Sequence, residues 1–182
     1  MAPFEMATPR IAVSFGSFCT LLRLLKNRVS SVEMAAPDFG LHETRMALLP
    51  GGEVVAVMRT QDRNFMSCRS LDGGCTWGEL TETPLWCGGS SPGDLLLLRD
   101  DRLLCTYGRR KEPLGVRACL SEDGGRTWDV EREIVLRDDG IDTDMGYPSS
   151  LELDDGRILT VYYWHGEDGV RYLEGSAWEA VG

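Results

Sequence analysis

The strongest constraint on the fold of this chain is an eight-residue phrase that occurs twice. Ser70-Leu71-Asp72-Gly73-Gly74-Cys75-Thr76-Trp77 and Ser121-Glu122-Asp123-Gly124-Gly125-Arg126-Thr127-Trp128 share the pattern S-x-D-G-G-x-T-W, 51 positions apart. Each residue type has a local task. An Asp side chain accepts backbone N–H bonds across a turn, and glycine takes positive φ without steric cost. A Thr hydroxyl adds a local bond, and a Trp ring buries a large apolar plate beneath the turn. Ser70, Asp72, Gly74, Thr76 and Trp77 in one copy, and Ser121, Asp123, Gly125, Thr127 and Trp128 in the other, therefore read as turn staples. Their acids are structural rather than catalytic.

The phrase closes a longer repeat. Residues 48–57, 97–106 and 151–161 each read as an apolar run, a short polar turn and a second apolar run. That is the pattern of a β-hairpin. A third strand follows in each copy, at Phe65–Arg69, Val116–Leu120 and Val170–Leu173. In the third copy the text after Leu173 is Glu174-Gly175-Ser176-Ala177-Trp178, so the stapled turn is shortened or lost while a Trp remains. A repeat near 50 residues predicts an all-β propeller.

Composition narrows the partners. The net charge is −10 over 182 residues, and a field of that sign repels phosphate backbones, which argues against a nucleic-acid partner. No run of about 18 apolar residues is present, so no membrane-spanning helix is expected and the chain reads as soluble. Six cysteines without a CxxC pair, and two histidines, predict no metal site and no cofactor. Cys68, Cys105 and Cys119 fall inside strands and read as small buried hydrophobes.

Residues 1–40 differ in texture from the rest and read as an extension of unknown role. Leu21, Leu22, Leu24 and Leu25 fit one short helix or a disordered segment, and no convincing signal peptide is present. Residues 41–182 hold the repeats.

The two phrases resemble the Asp-box, or BNR repeat, of the sialidase superfamily, and Gly146-Tyr147-Pro148-Ser149-Ser150-Leu151-Glu152-Leu153-Asp154-Asp155-Gly156 is also similar to bacterial sialidase-like proteins. The resemblance covers about His42 to Trp178. It implies a six-bladed β-propeller of four-stranded blades, of which about three are present here. A part-propeller leaves open sheet edges, which invite self-association.

Up-and-down blades sort the polar residues between two faces. The A–B turns share a face with the Asp-boxes, and the B–C loops and D–A connections occupy the other. That second face collects Arg59, Asp62, Arg109, Arg110, Trp164 and His165, with Glu43 and Tyr147 at the strand entries. Aromatic plates, guanidinium and carboxylate suit a sugar acid. The resemblance implies an exo-acting glycoside hydrolase on a sialic acid or related sugar, with a carbohydrate as substrate or ligand. On that reading Tyr147 is the nucleophile and Glu43 or Asp62 the acid or base. Arg59, Arg109, Arg110 and Trp164 bind substrate. Equally open at this point are a solvated loop at Arg109-Arg110-Lys111 and a core-edge role for Tyr147. A propeller that binds carbohydrate or protein without catalysis is the alternative function. No early arginine motif of the FRIP type is present, since Thr8-Pro9-Arg10-Ile11 is not one.

Overall fold

Eleven strands form three antiparallel sheets in a computed structural model that describes residues 31–34, 37–87 and 91–180. The first sheet runs β1 (His42–Leu48), β2 (Val54–Arg59), β3 (Asn64–Ser70) and β4 (Thr81–Trp86), in that spatial order. The second repeats the meander with β5 (Gly93–Leu97), β6 (Leu103–Arg109), β7 (Gly115–Ser121) and β8 (Ile134–Arg137). The third holds β9 (Gly146–Glu152), β10 (Ile158–His165) and β11 (Arg171–Trp178), and is three-stranded among the described residues. A single 3-10 turn at Val130–Arg132 is the helical element among them. This is the β-propeller class the repeats predict. The helix expected at Leu21–Leu25 lies outside the described residues.

The hairpins form where the turn text demands it. Each apolar run ends in a residue pair that can enter left-handed backbone. Gly156 does so at φ 86° without a Cβ to clash, and Asp101 does so at φ 67°, which a short polar side chain tolerates. Strand alternation then sends neighbouring residues to opposite faces. Val55 and Val57 of β2 pack with Leu103, Cys105 and Tyr107 of β6 in the core between the first two sheets. Ala56 and Met58, one position away, pack with Cys68 on the other side, against Met34, Leu41, Trp77 and Leu80. The same logic seats Leu104 and Ala118 of the second sheet against Ile158 of the third. Cys68, Cys105 and Cys119 are free thiols, buried as expected.

Both stapled turns have the geometry their chemistry predicts. In the first, Thr76 N–H and Cys75 N–H donate to Asp72 Oδ1 at 2.8 and 3.0 Å, and the Thr76 hydroxyl donates to Oδ2 at 2.8 Å. Ser70 Oγ donates to the same carboxylate at 2.8 Å and accepts from Gly74 N–H at 2.8 Å. The second repeats each bond: Arg126 N–H, Thr127 N–H and the Thr127 hydroxyl donate to Asp123 at 2.9, 2.8 and 2.7 Å, while Ser121 Oγ bridges Asp123 and Gly125 N–H at 2.8 and 2.6 Å. The Thr76 amide and hydroxyl hold the Asp72 carboxyl down to about 2. Partial burial works against ionisation at Asp123, but the Thr127 bonds outweigh it and that group also lies at about 2. These carboxylates are bonded to their own turns, as a structural role requires.

Candidate functional site

The first strands of the three sheets, β1, β5 and β9, lie side by side, so residues at their entries meet on the face opposite the stapled turns. Two of them are bent by the backbone. The register of β1 against β2 slips between His42 and Arg45, and that of β9 against β10 slips between Val161 and Tyr163. Glu43 sits in the first irregularity at φ 40°, and Tyr147 at the second at φ 52°. A left-handed conformation in a non-glycine residue carries strain, and bulges re-aim side chains. Here they aim two side chains at each other. Tyr147 Oη donates to Glu43 Oε1 at 2.9 Å. The other carboxylate oxygen of Glu43 is held in an ion pair by Arg59 Nε.

The hydrogen bond to Glu43 raises the Tyr147 phenol above its ordinary range, with burial adding to the effect. That bond therefore favours the protonated phenol. Tyr147 Oη thus has a proton acceptor in hydrogen-bond contact, and Arg59 pairs with the far oxygen of that acceptor.

Arg110 is the second cation beside Tyr147. Its Nε and Nη2 donate to the Met145 carbonyl at 3.0 and 2.9 Å, and Nη2 also donates to Tyr163 Oη at 3.0 Å. Its guanidinium carbon lies 5.9 Å from the Tyr147 ring centroid, and the Tyr147 and Tyr163 rings are 5.9 Å apart. Tyr163 Oη in turn donates to Asp144 Oδ1 at 3.1 Å, and Arg171 Nε pairs with Asp144 Oδ2 at 2.5 Å. Below this cluster Asp94, on β5, accepts from Ser150 N–H of β9 at 2.7 Å and faces Arg45 Nε of β1 at 3.6 Å. Burial raises its carboxyl pKa above the ordinary value.

The other expected residues lie elsewhere. Trp164, expected to offer a ring face to a sugar, is 2% exposed and packed in the core with Leu114, Val116, Met145 and Tyr162. The Arg137 guanidinium lies over its ring at 4.0 Å. The physical reason is strand alternation: Trp164 shares the β10 face of Ile158, Thr160 and Tyr162, all of which are buried. Arg109 turns toward Glu133 at 3.6 Å, in a cluster with Arg117 and Tyr107 rather than with Tyr147. Asp62 is exposed in the β2–β3 turn. His165 Nδ1 bonds Asp142 Oδ2 at 2.7 Å. Sequence reasoning gave no role to Tyr163, Asp144, Arg45 and Asp94. The signal available for Asp144 was its place in the Asp144-Met145-Gly146-Tyr147 entry, and for Asp94 a lone acid in the apolar run of β5.

Glycines set how closely the second and third sheets approach here. Ser91 Oγ accepts from Gly108 N–H at 2.9 Å. A Cβ at Gly108 would meet Ser91 Oγ at 2.3 Å and Gly146 Cα at 3.0 Å, and one at Gly146 would meet Ser91 Oγ at 2.4 Å.

Comparison with known proteins agrees with this architecture. A protein of unknown function from Dyadobacter fermentans superposes with a TM-score of 0.70 at 34% identity, over 80% of this chain and 40% of that one. An alpha-L-arabinanase from Penicillium chrysogenum superposes at 0.60 with 18% identity, over 78% of this chain and 48% of that one. An intramolecular trans-sialidase from Ruminococcus gnavus gives 0.55 with 17% identity, over 76% and 32%. The chain thus spans between a third and a half of the length of these structures, and the two enzymes share its fold. No curated protein matches the chain. Residues 7–160 match the BNR repeat-like domain; with its two stapled turns and its stacked meander sheets, the chain is a member of that family.

Proposed function

We propose that residues 41–182 form part of a glycosidase-type propeller of the sialidase kind, exo-acting on a sialic acid or related sugar. The observation that carries this reading is the Tyr147–Glu43 hydrogen bond, with Arg59 on the far oxygen of the acid. In this scheme Tyr147 attacks the anomeric carbon while Glu43 takes the phenolic proton. The candidate for the acid that protonates the leaving oxygen is Asp62 from the sequence reading, which stands on the exposed β2–β3 turn outside the Tyr147–Glu43–Arg59 cluster. Arg59 and Arg110 provide positive charge for the sugar carboxylate, and Arg109 lies further from the couple. Fold likeness to an arabinanase and a trans-sialidase supports the glycosidase class and leaves the sugar to experiment.

A second reading, a propeller that binds carbohydrate or protein without turning it over, draws support from the same residues. Arg59 is already engaged by Glu43, and Arg110 by Met145 and Tyr163. A carboxylate site also needs arginines from several blades in fixed geometry.

The test is hydrolysis of a fluorogenic sialoside by the purified chain, beside Tyr147→Phe and Glu43→Gln, with ligand binding followed by NMR. We expect little or no turnover and weak binding of free sialic acid that both substitutions reduce. Binding indifferent to both would remove the site from these residues. Robust turnover that both abolish would make the 182-residue chain a working enzyme by itself.

A further inference from the structure

Asp94 is an acid that packing alone does not explain. It opens the apolar run Asp94-Leu95-Leu96-Leu97-Leu98, and its side chain is only 14% exposed. Burying a carboxylate costs free energy unless it is paired and hydrogen-bonded. Its partners lie on the two neighbouring sheets. Oδ2 accepts from Ser150 N–H of β9 at 2.7 Å, and Oδ1 faces Arg45 Nε of β1 at 3.6 Å. Thr106, opposite Asp94 in the β5–β6 ladder and fully buried, holds the same serine, its Oγ1 lying 2.9 Å from Ser150 Oγ. That serine hydroxyl is also 3.0 Å from Thr160 Oγ1, to which Trp178 Nε1 donates at 3.1 Å. The second sheet thus grips Ser150 at both its amide and its hydroxyl.

These fixed points stand next to the strained pair. Ser150 follows Tyr147 by three residues, and Arg45 follows Glu43 by two. Left-handed backbone at Tyr147 and Glu43 persists only where the surroundings determine it. We propose that Asp94 is the positioning residue of the candidate site: through Ser150 and Arg45 it sets the spacing of β9 and β1 at which the Tyr147 phenol meets the Glu43 carboxylate. Asp94 acts through the backbone of both strands rather than on the phenol itself.

The inference rests on the Tyr147–Glu43 couple of the proposed site and is independent of the sugar that the site takes. It gives Asp94 no part in proton transfer. What the position needs first is an acceptor for Ser150 N–H, which an asparagine side-chain oxygen also supplies. Alanine supplies none.

Ultraviolet titration of Tyr147, taken as the difference between each variant and the same variant carrying Tyr147→Phe, tests it. The bond to Glu43 favours the protonated phenol, so a loosened couple titrates lower. Asp94→Asn and Asp94→Ala remove the same charge, and the difference between them reads position alone. Asp94→Ala should titrate lower than Asp94→Asn, and adding Glu43→Gln to Asp94→Ala should lower the midpoint little further. Asp123→Ala, which loosens a stapled turn on the opposite face, should leave the midpoint in place. Where Asp94→Ala does not fold, Ser150→Ala takes its place; it changes no charge and should lower the midpoint. Equal midpoints in Asp94→Asn and Asp94→Ala, an unmoved midpoint in a substituting Ser150→Ala, or an equal shift in Asp123→Ala would overturn the positioning role. A midpoint that Glu43→Gln alone leaves unmoved would instead overturn the couple, and with it anything for Asp94 to position.

Discussion

Tyr147 and Glu43 stand 104 positions apart in the chain, yet a 2.9 Å hydrogen bond joins the phenol of the third sheet to the carboxylate of the first. Because that bond favours the protonated phenol, Tyr147 should ionise above the ordinary tyrosine range. Glu43→Gln should move its titration downward, by removing the charge that opposes phenolate. Ultraviolet titration of the chain against Tyr147→Phe isolates the residue. An unshifted titration in Glu43→Gln would show that the bond does not persist in solution.

The stapled turns make acid stability predictable. Asp72 and Asp123 are held at about 2, below the ordinary 3.8. A carboxyl depressed in the folded state stabilises the fold above its unfolded value and loses that contribution as pH falls through the folded one. Urea stability should therefore drop between about pH 4 and pH 2. Asp123→Asn should flatten that drop. At neutral pH, Asp123→Ala should cost about 1–2 kcal/mol, because the turn amides lose their acceptor while solvent softens the loss.

The two tryptophans of the repeated phrase should separate in a denaturant titration. Trp128 is 6% exposed and belongs to the core between the first two sheets. Trp128→Ala should cost about 3–5 kcal/mol. Trp77 is half-buried against Met58 and Cys68, so Trp77→Ala should cost less. Equal losses would mean that the burial difference does not persist in solution.

Arg117 is a buried cation, 2% exposed, that donates to the Arg137 and Pro113 carbonyls and faces Glu133. Glu133 also accepts from the Tyr107 hydroxyl at 2.5 Å. Arg117→Met should cost about 3–5 kcal/mol, since Glu133 loses one of its two cations and the Arg137 and Pro113 carbonyls lose a donor. Pairing it with Glu133→Gln should recover part of that loss, which a double-mutant cycle measures.

The all-β meander was legible because its determinants are local. Turn text such as Asp100-Asp101 and the Ser121–Trp128 phrase act within a few residues, and alternation in Val54–Val57 assigns faces without reference to the rest of the chain. Part of the site was legible for a similar reason. Up-and-down topology alone sends Glu43, Arg59, Arg110 and Tyr147 to one end of the sheets. What the sequence could not show was how side chains divide within that end. Trp164 looks like a loop aromatic until β10 is seen to run through His165, which puts its ring on the buried side. Arg109 and Arg110 are neighbours in sequence, but one turns to Glu133 and the other to Met145. That choice depends on partners 24 and 35 positions away. Asp94 is unremarkable until β1 and β9 are seen flanking it.

The glycine contact between the second and third sheets has a mechanical meaning. At Gly108 and Gly146 backbone meets backbone, with only Ser91 between them. Side chains at such a seam would act as springs, yielding by changing rotamer; bare main chain has no such travel. The residue that follows this rigid seam is Tyr147, in its left-handed conformation. Gly146 thus serves as a fixed anvil, and a methyl group added at Gly108 would lever the phenol away from Glu43 without touching either residue.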